Sequence, residues 1–122
     1  MSVQAIAAKA RAALRHTRRY SARERNDALR SIAARLRGSH DEILAANRTD
    51  LEAAEADGMG SAMMDRLRLN AERIEEMALS CEQVALLPDP IGRTRSGWTL
   101  ENGLRIEQVS VPLGVIGIIY ES

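Results

Sequence analysis

Few residues in this chain are of a type and spacing that does chemistry, and each has a structural alternative. Cys81 is the single cysteine and so the single candidate thiol nucleophile. A nucleophilic thiol must ionise, and apolar burial raises its pKa. Ile74, Met77, Ala78, Cys81 and Val84 recur at helical spacing, which puts the thiol on a packed face as a structural cysteine. No histidine lies near it in sequence to serve as its base. His16 and His40 are the two histidines, and neither has ligand spacing with another His, Cys or carboxylate, so no metal site is expected. The acidic pairs Asp41/Glu42 and Glu75/Glu76 suit helix starts and solvated faces rather than acid–base work. "RHTRR" at 15–19 could meet phosphates, but without interleaved aromatics it reads as a solvated or intramolecularly paired face. "GVIG" at 114–117 lacks the third glycine and the following helix of a dinucleotide fingerprint. Its two glycines instead predict close backbone approach within a buried strand.

The elements that would position these groups fall into two textures, divided at "LLPDPIG", residues 86–92. Before that boundary the apolar spacing is helical. A first helix over 3–17 carries Val3, Ile6, Ala7, Ala10 and Leu14 on one face. A second opens on the capping box Ser21–Glu24, buries Leu29, Ile32, Ala33 and Leu36, and ends at Gly38. Ser39 and Glu42 repeat the start signal for a third, through Ile43, Leu44 and Leu51 to near Gly58, with Asn47 interrupting the stripe where a break between two shorter helices could fall. A short turn around Met63–Leu67 leads to Asn70, the predicted cap of a last helix over 71–86. After Pro90 the spacing alternates, and Asn102-Gly103 predicts an antiparallel hairpin, about 94–100 with 104–110, closed by a type I′ turn. Such a hairpin is marginal alone and needs a sheet or partner.

Composition narrows the fold further. The chain has 122 residues, no Phe, one Trp and two Tyr, so any core must be built from small aliphatic side chains, which suits closely packed helices. Net charge is zero, yet residues 1–37 carry ten basic residues against Glu24 and Asp27, a local +8 balanced by −8 in residues 38–122. A basic front of this kind would suit nucleic acid or an anionic membrane; pairing with the acidic remainder of the same protein is the simpler expectation. One cysteine permits no internal disulfide and fits a reducing compartment. Lys9 and Arg11 interrupt the first apolar stretch, which argues against a secretory signal, although the Arg-rich, acid-free start has the composition of a transit peptide. No stretch approaches the roughly twenty apolar residues of a membrane span.

The run "VPLGVIGIIYES" at 111–122 is nearly continuous apolar sequence, the pattern of a strand covered on both faces. Nothing after it supplies a neighbour, so the chain is expected to be the front piece of a longer enzyme. That run, with "GLRIEQVSVPLG", "DPIG" at 89–92, "MMDRLRLNAERI" at 63–74 and "ILAANRTDL" at 43–51, resembles gamma-glutamyl phosphate reductase, also called glutamate-5-semialdehyde dehydrogenase, of the aldehyde dehydrogenase superfamily. The resemblance runs in order across essentially the whole chain.

The resemblance implies an α/β, aldehyde dehydrogenase-like fold, N-terminal portion only. Residues 1–92 would be the helical part of the cofactor-binding domain, 93–111 a hairpin of the oligomerisation sheet, and 112–122 the first strand of the Rossmann-like domain. It implies NADPH-dependent reduction of L-glutamyl 5-phosphate to L-glutamate 5-semialdehyde with release of phosphate, in proline biosynthesis. A thiolate would attack the acyl phosphate, phosphate would leave, and hydride would reduce the thioester. Cys81 does not match the family's nucleophile motif, so that cysteine would lie outside these residues and the fragment would be inactive alone. Tyr120, Glu121 and Ser122 align with the strand end that passes near the cofactor, in keeping with ligand binding beyond the carboxyl ends of strands. A cytoplasmic, homo-oligomeric enzyme with a small-molecule substrate is implied, without nucleic acid or membrane partners. The competing expectation is a non-catalytic helical module docking on a full-length homologue by strand addition. A basic helical nucleic-acid binder is a third, and steep salt dependence would mark it.

Overall fold

The computed structural model describes residues 2–119. In chain order these form helices α1 (Val3–Thr17), α2 (Ala22–Gly38), α3 (His40–Ala56), α4 (Ser61–Leu67) and α5 (Ala71–Leu86), then strands β1 (Thr94–Thr99) and β2 (Arg105–Val109). They divide into two compact units, one over residues 23–87 and one joining 2–22 with 88–118.

The first of these units is a helical layer in which α3 packs on α4 and α5. Its core is made of Ala33, Ala54, Ile74, Ala78 and Ala85. Four alanines and one isoleucine are what a chain without Phe can offer, and small side chains let helix backbones approach closely. The α5 stripe differs from the one the spacing predicts. Ala85 rather than Val84 continues the line from Ile74 and Ala78, Cys81 is half-buried, and Met77 and Val84 are 38% and 51% exposed. On α2, Ala33 is buried but Ile32 faces solvent.

Local chemistry sets the helix ends. Asn70 caps α5 as expected, its side chain accepting from the Arg73 amide at 2.7 Å. At the end of α3, Gly58 has φ +75°, Gly58 N–H donates to Glu55 O and Met59 N–H to Ala54 O. That is a Schellman ending, and it needs a residue free to adopt the left-handed region. Ser39 makes no side-chain cap. Its φ of −101° and ψ of 15° keep it near helical geometry while its own amide still bonds Arg35 O, whereas a capping serine needs extended backbone. Nor does α3 break at Asn47, because tertiary partners absorb the amide that interrupts its stripe.

In the other unit, β1 and β2 pair antiparallel with Trp98 opposite Ile106 and a register irregularity between Thr94 and Ser96. Gly97 lies against the partner strand so closely that a Cβ would stand 3.2 Å from Ile106 O. The Gly92 amide donates to Ser110 O, and the Ser110 amide to Arg93 O, prolonging the pairing below the strands. The turn is one residue longer than a type I′ turn. The Gly103 amide donates to Leu100 O and the Leu100 amide to Leu104 O, with positive φ at Gly103 alone. This is a three-residue loop of the turn-plus-bulge class. The Asn102 side chain accepts from the Leu104 amide, so asparagine serves by its carbonyl rather than by a left-handed backbone. None of the described residues of this unit is fully buried.

Residues 110–119 form no strand. A central parallel strand is held by neighbours on both edges and helices on both faces, and the described residues offer this run neither. Gly114 takes φ +100°, outside strand geometry, with the Leu14 side chain 3.7 Å from where its Cβ would stand. That separation is an ordinary side-chain contact and Gly117 has open space around it, so the close backbone approach predicted for both glycines is seen at neither.

Candidate functional site

Tyr120, Glu121 and Ser122, the expected cofactor-contacting residues, lie outside the described residues. The segment leading to them is apolar and bare: Leu113 is 89% exposed and Ile118 80%.

Within the helical unit, side chains of α4 and α5 and the linker between them line a shallow hollow of about 620 Å³ that is largely open to solvent. Its geometry starts at Asn47. This buried amide donates to Leu67 O and accepts from the Leu69 amide, both at 2.8 Å, and so fixes the path of the linker against α3. Arg73, in the first turn of α5, then reaches back. One terminal nitrogen donates to Asp65 O and Arg68 O, and the other pairs with Asp65 Oδ2 at 3.3 Å. The guanidinium therefore closes the end of α4 onto α5. Arg66, Glu76, Met77 and Ser80 complete the lining with Leu69. The Ser80 hydroxyl donates to Glu76 O at 2.8 Å. Among the described residues, neither the Arg66 guanidinium nor the Glu76 carboxylate has an ion-pair partner. The hollow thus presents one uncommitted cation and one uncommitted anion, with Leu69 and Met77 as apolar wall.

A second charged cluster joins α2 to α5. Arg37 is bidentate to Glu75, with Nε–Oε2 2.9 Å and Nη2–Oε1 2.7 Å, and bidentate to Glu82, with Nη1–Oε1 2.5 Å and Nη2–Oε2 3.1 Å. Hydrogen bonding to the Arg37 guanidinium holds both carboxyls below the ordinary glutamate range, and the two carboxylates raise Arg37 in turn. Four of the five guanidinium N–H groups are spent on these two carboxylates, so the cluster is a clamp. It realises in part the expected pairing of basic front with acidic remainder. Glu75 belongs to it and Glu76 to the hollow, two roles for adjacent carboxylates expected only to be solvated.

Cys81 is half-buried and unpaired by disulfide. His40 is the first residue of α3, with Nδ1 3.1 Å from Asp41 Oδ1, and His16 lies in the last turn of α1. Among the described residues no group of three His, Cys, Asp or Glu side chains could hold a metal ion, and no helix is long and apolar enough to cross a membrane. The α4–α5 hollow escaped sequence reasoning. Its signal was present as polar residues Arg73, Glu76 and Ser80 at helical spacing, on the side of α5 away from Ile74, Ala78 and Ala85.

No family model matches the chain. Curated relatives do. The chain is 53% identical over 98 residues to "Gamma-glutamyl phosphate reductase" of Paramagnetospirillum magneticum, covering 80% of this chain and 23% of that one. It is 44% identical over 122 residues to the protein of the same name in Moorella thermoacetica, covering 100% and 29%. The crystal structure of gamma-glutamyl phosphate reductase from Thermotoga maritima superposes with a TM-score of 0.85 at 43% identity, over 89% of this chain and 26% of that one. The corresponding Saccharomyces cerevisiae structure gives 0.82 at 32% identity, over 92% and 29%. The chain spans about a quarter of the length of the curated relatives it matches.

Proposed function

Because the chain belongs to the gamma-glutamyl phosphate reductase family, and its helices and hairpin match the N-terminal portion of that family's aldehyde dehydrogenase-like fold, we propose that it works as part of an NADPH-dependent reductase. The substrate is L-glutamyl 5-phosphate and the products are L-glutamate 5-semialdehyde and phosphate, in the making of proline. The observation that carries this is the likeness along the whole chain at 44% identity, in step with a TM-score of 0.85.

Residues 1–92 serve as the helical part of the cofactor-binding domain, 93–111 as part of an oligomerisation sheet, and 112–122 as the first strand of the dinucleotide-binding domain. The exposed apolar side chains of 111–119 support the last assignment, since a strand destined for two-sided cover carries no polar face. The two unpaired edges of the β1–β2 ribbon support the second. Tyr120, Glu121 and Ser122 take positions beside the nicotinamide cofactor, which supplies hydride when bound. The described residues hold no turn from strand into helix that would cradle its phosphates. Cys81, half-buried and without a neighbouring base, is not the nucleophile; these residues alone are inactive, and the working protein is cytoplasmic.

The test is the mass and activity of the protein isolated from its own cell. A species much heavier than 13.4 kDa that converts the acyl phosphate to the semialdehyde with loss of NADPH is expected. A species of that mass with no such activity, co-purifying with a longer reductase, would replace the proposal with a docking module.

A further inference from the structure

We propose that Asn102 is a self-modification site, at which the Gly103 backbone nitrogen attacks the Asn102 side-chain amide and expels ammonia once the hairpin tip opens. The four asparagines of the chain carry the argument by contrast. Asn26 and Asn47 lie inside α2 and α3, where the helical ladder engages the amide that follows each. Asn47 is also buried and bonded at both ends of its side chain. Asn70 precedes Ala71, whose Cβ crowds the nitrogen, and its side-chain oxygen caps α5 through the Arg73 amide. Asn102 differs in each respect. It is exposed in the loop between β1 and β2, and it alone of the four is followed by glycine. A Cβ on Gly103 would meet nothing within 4 Å, so hydroxide reaches this nitrogen from an open side. The Leu104 amide donates to Asn102 Oδ1 at 3.1 Å, on the carbonyl whose oxygen gains charge when its carbon is attacked. One bond opposes the reaction. The Gly103 N–H donates to Leu100 O at 2.9 Å, which keeps its proton in place. Breaking that bond requires the tip to open, a local event to which an exposed two-stranded ribbon is prone.

The step balances without oxidant or cofactor. Hydroxide removes the Gly103 amide proton, the nitrogen bonds to Asn102 Cγ, and the side-chain nitrogen leaves as ammonia, taking a proton from water. Water then opens either carbonyl of the resulting five-membered succinimide. One route leaves an aspartyl residue, the other an isoaspartyl residue with the side-chain methylene now in the main chain. Both place a new carboxylate beside Glu101, and the isoaspartyl form lengthens the loop that Leu100 and Leu104 close. The modified hairpin is therefore looser than the original.

The test incubates the protein isolated from its own cell in mildly alkaline buffer and follows ammonia release, peptide mass mapping and labelling by an isoaspartyl methyltransferase. Conversion at Asn102 is expected to run at least tenfold faster than at Asn26, Asn47 or Asn70, and to rise with hydroxide concentration. Urea below the unfolding transition should speed it by opening the tip. Gly103→Ala should slow it severalfold, because the added methyl group crowds the attacking nitrogen. Unfolding would speed the reaction, so slowing by this variant cannot come from a folding defect. The converted fraction should show faster amide exchange at Trp98 and Ile106 than the unconverted one. Conversion spread evenly over the four asparagines, an Asn102 rate indifferent to urea, or one left unchanged by Gly103→Ala each overturns the proposal.

Discussion

Asn47 is 7% exposed and uses both ends of its amide, so no other side chain of its size can replace it. Asn47→Leu would leave Leu67 O and the Leu69 amide without partners, at a cost of about 2–4 kcal/mol, read as a lower urea midpoint at unchanged slope. Asn47→Asp keeps the acceptor for Leu69 but turns a negative oxygen toward Leu67 O. Its loss of stability should therefore shrink in acid, when the carboxyl regains a proton to donate. Sequence spacing marked this residue as an interruption in an apolar stripe and a possible helix break, and missed its role because its partners lie 20 and 22 residues away. Arg37 makes a different prediction. Glu75 and Glu82 have folded-state pKa values below their unfolded ones, so their contribution is complete above the ordinary value of 4.5 and is lost as pH falls through the lowered values. Arg37→Met should flatten the acid limb of a Tm-against-pH curve and remove most of its sensitivity to salt, since the cluster is open to solvent.

Helices and strands were legible where the determinants are local. Asn70 before an apolar-periodic stretch, and Gly58 after one, mark ends by a hydrogen bond or a backbone angle that a few neighbouring residues decide. Ser39 was misleading because α2 and α3 follow one another through a single residue, leaving no room for the extended backbone a cap requires. The hairpin at Asn102-Gly103 was legible, its turn type less so. Two-residue and three-residue loops share the same dipeptide, and the choice falls to the pairing of Leu100 with Leu104. Only Gly103, at φ +85°, needs the left-handed region. Gly103→Ala should cost about 1 kcal/mol despite the open space around it, seen as faster amide exchange at Trp98 and Ile106. Asn102→Gly should be milder, as it gives up one exposed side-chain bond.

For the molecule as a whole, the distribution of apolar surface is the informative quantity. The helical unit buries small side chains, while the run from Val111 to Ile119 leaves Val111, Leu113, Ile116, Ile118 and Ile119 largely exposed. Surfaces of this extent mark an interface or an aggregation hazard. The 122-residue polypeptide is expected to self-associate and to bind a hydrophobic dye, and Ile116→Lys with Ile118→Lys should lower both signals without changing far-UV helicity. A monomer that binds no dye would mean the run is covered in solution. Its apolar composition was plain from the sequence. Its conformation was not, because a buried strand is defined by neighbours and this segment's own residues cannot specify them.

The Arg37 clamp also bears on the order of events in folding. Its two ion pairs span 38 and 45 residues of chain, whereas α3, α4 and α5 meet through short linkers. Closing a long loop costs entropy that a solvent-exposed pair repays poorly, so the clamp is expected after the barrier has been crossed. Interactions made after the barrier act on escape from the native state rather than on arrival. Added salt should therefore speed unfolding of the helical unit and leave its refolding rate nearly untouched: Arg37 sets how long the assembled helices persist, not how quickly they find one another.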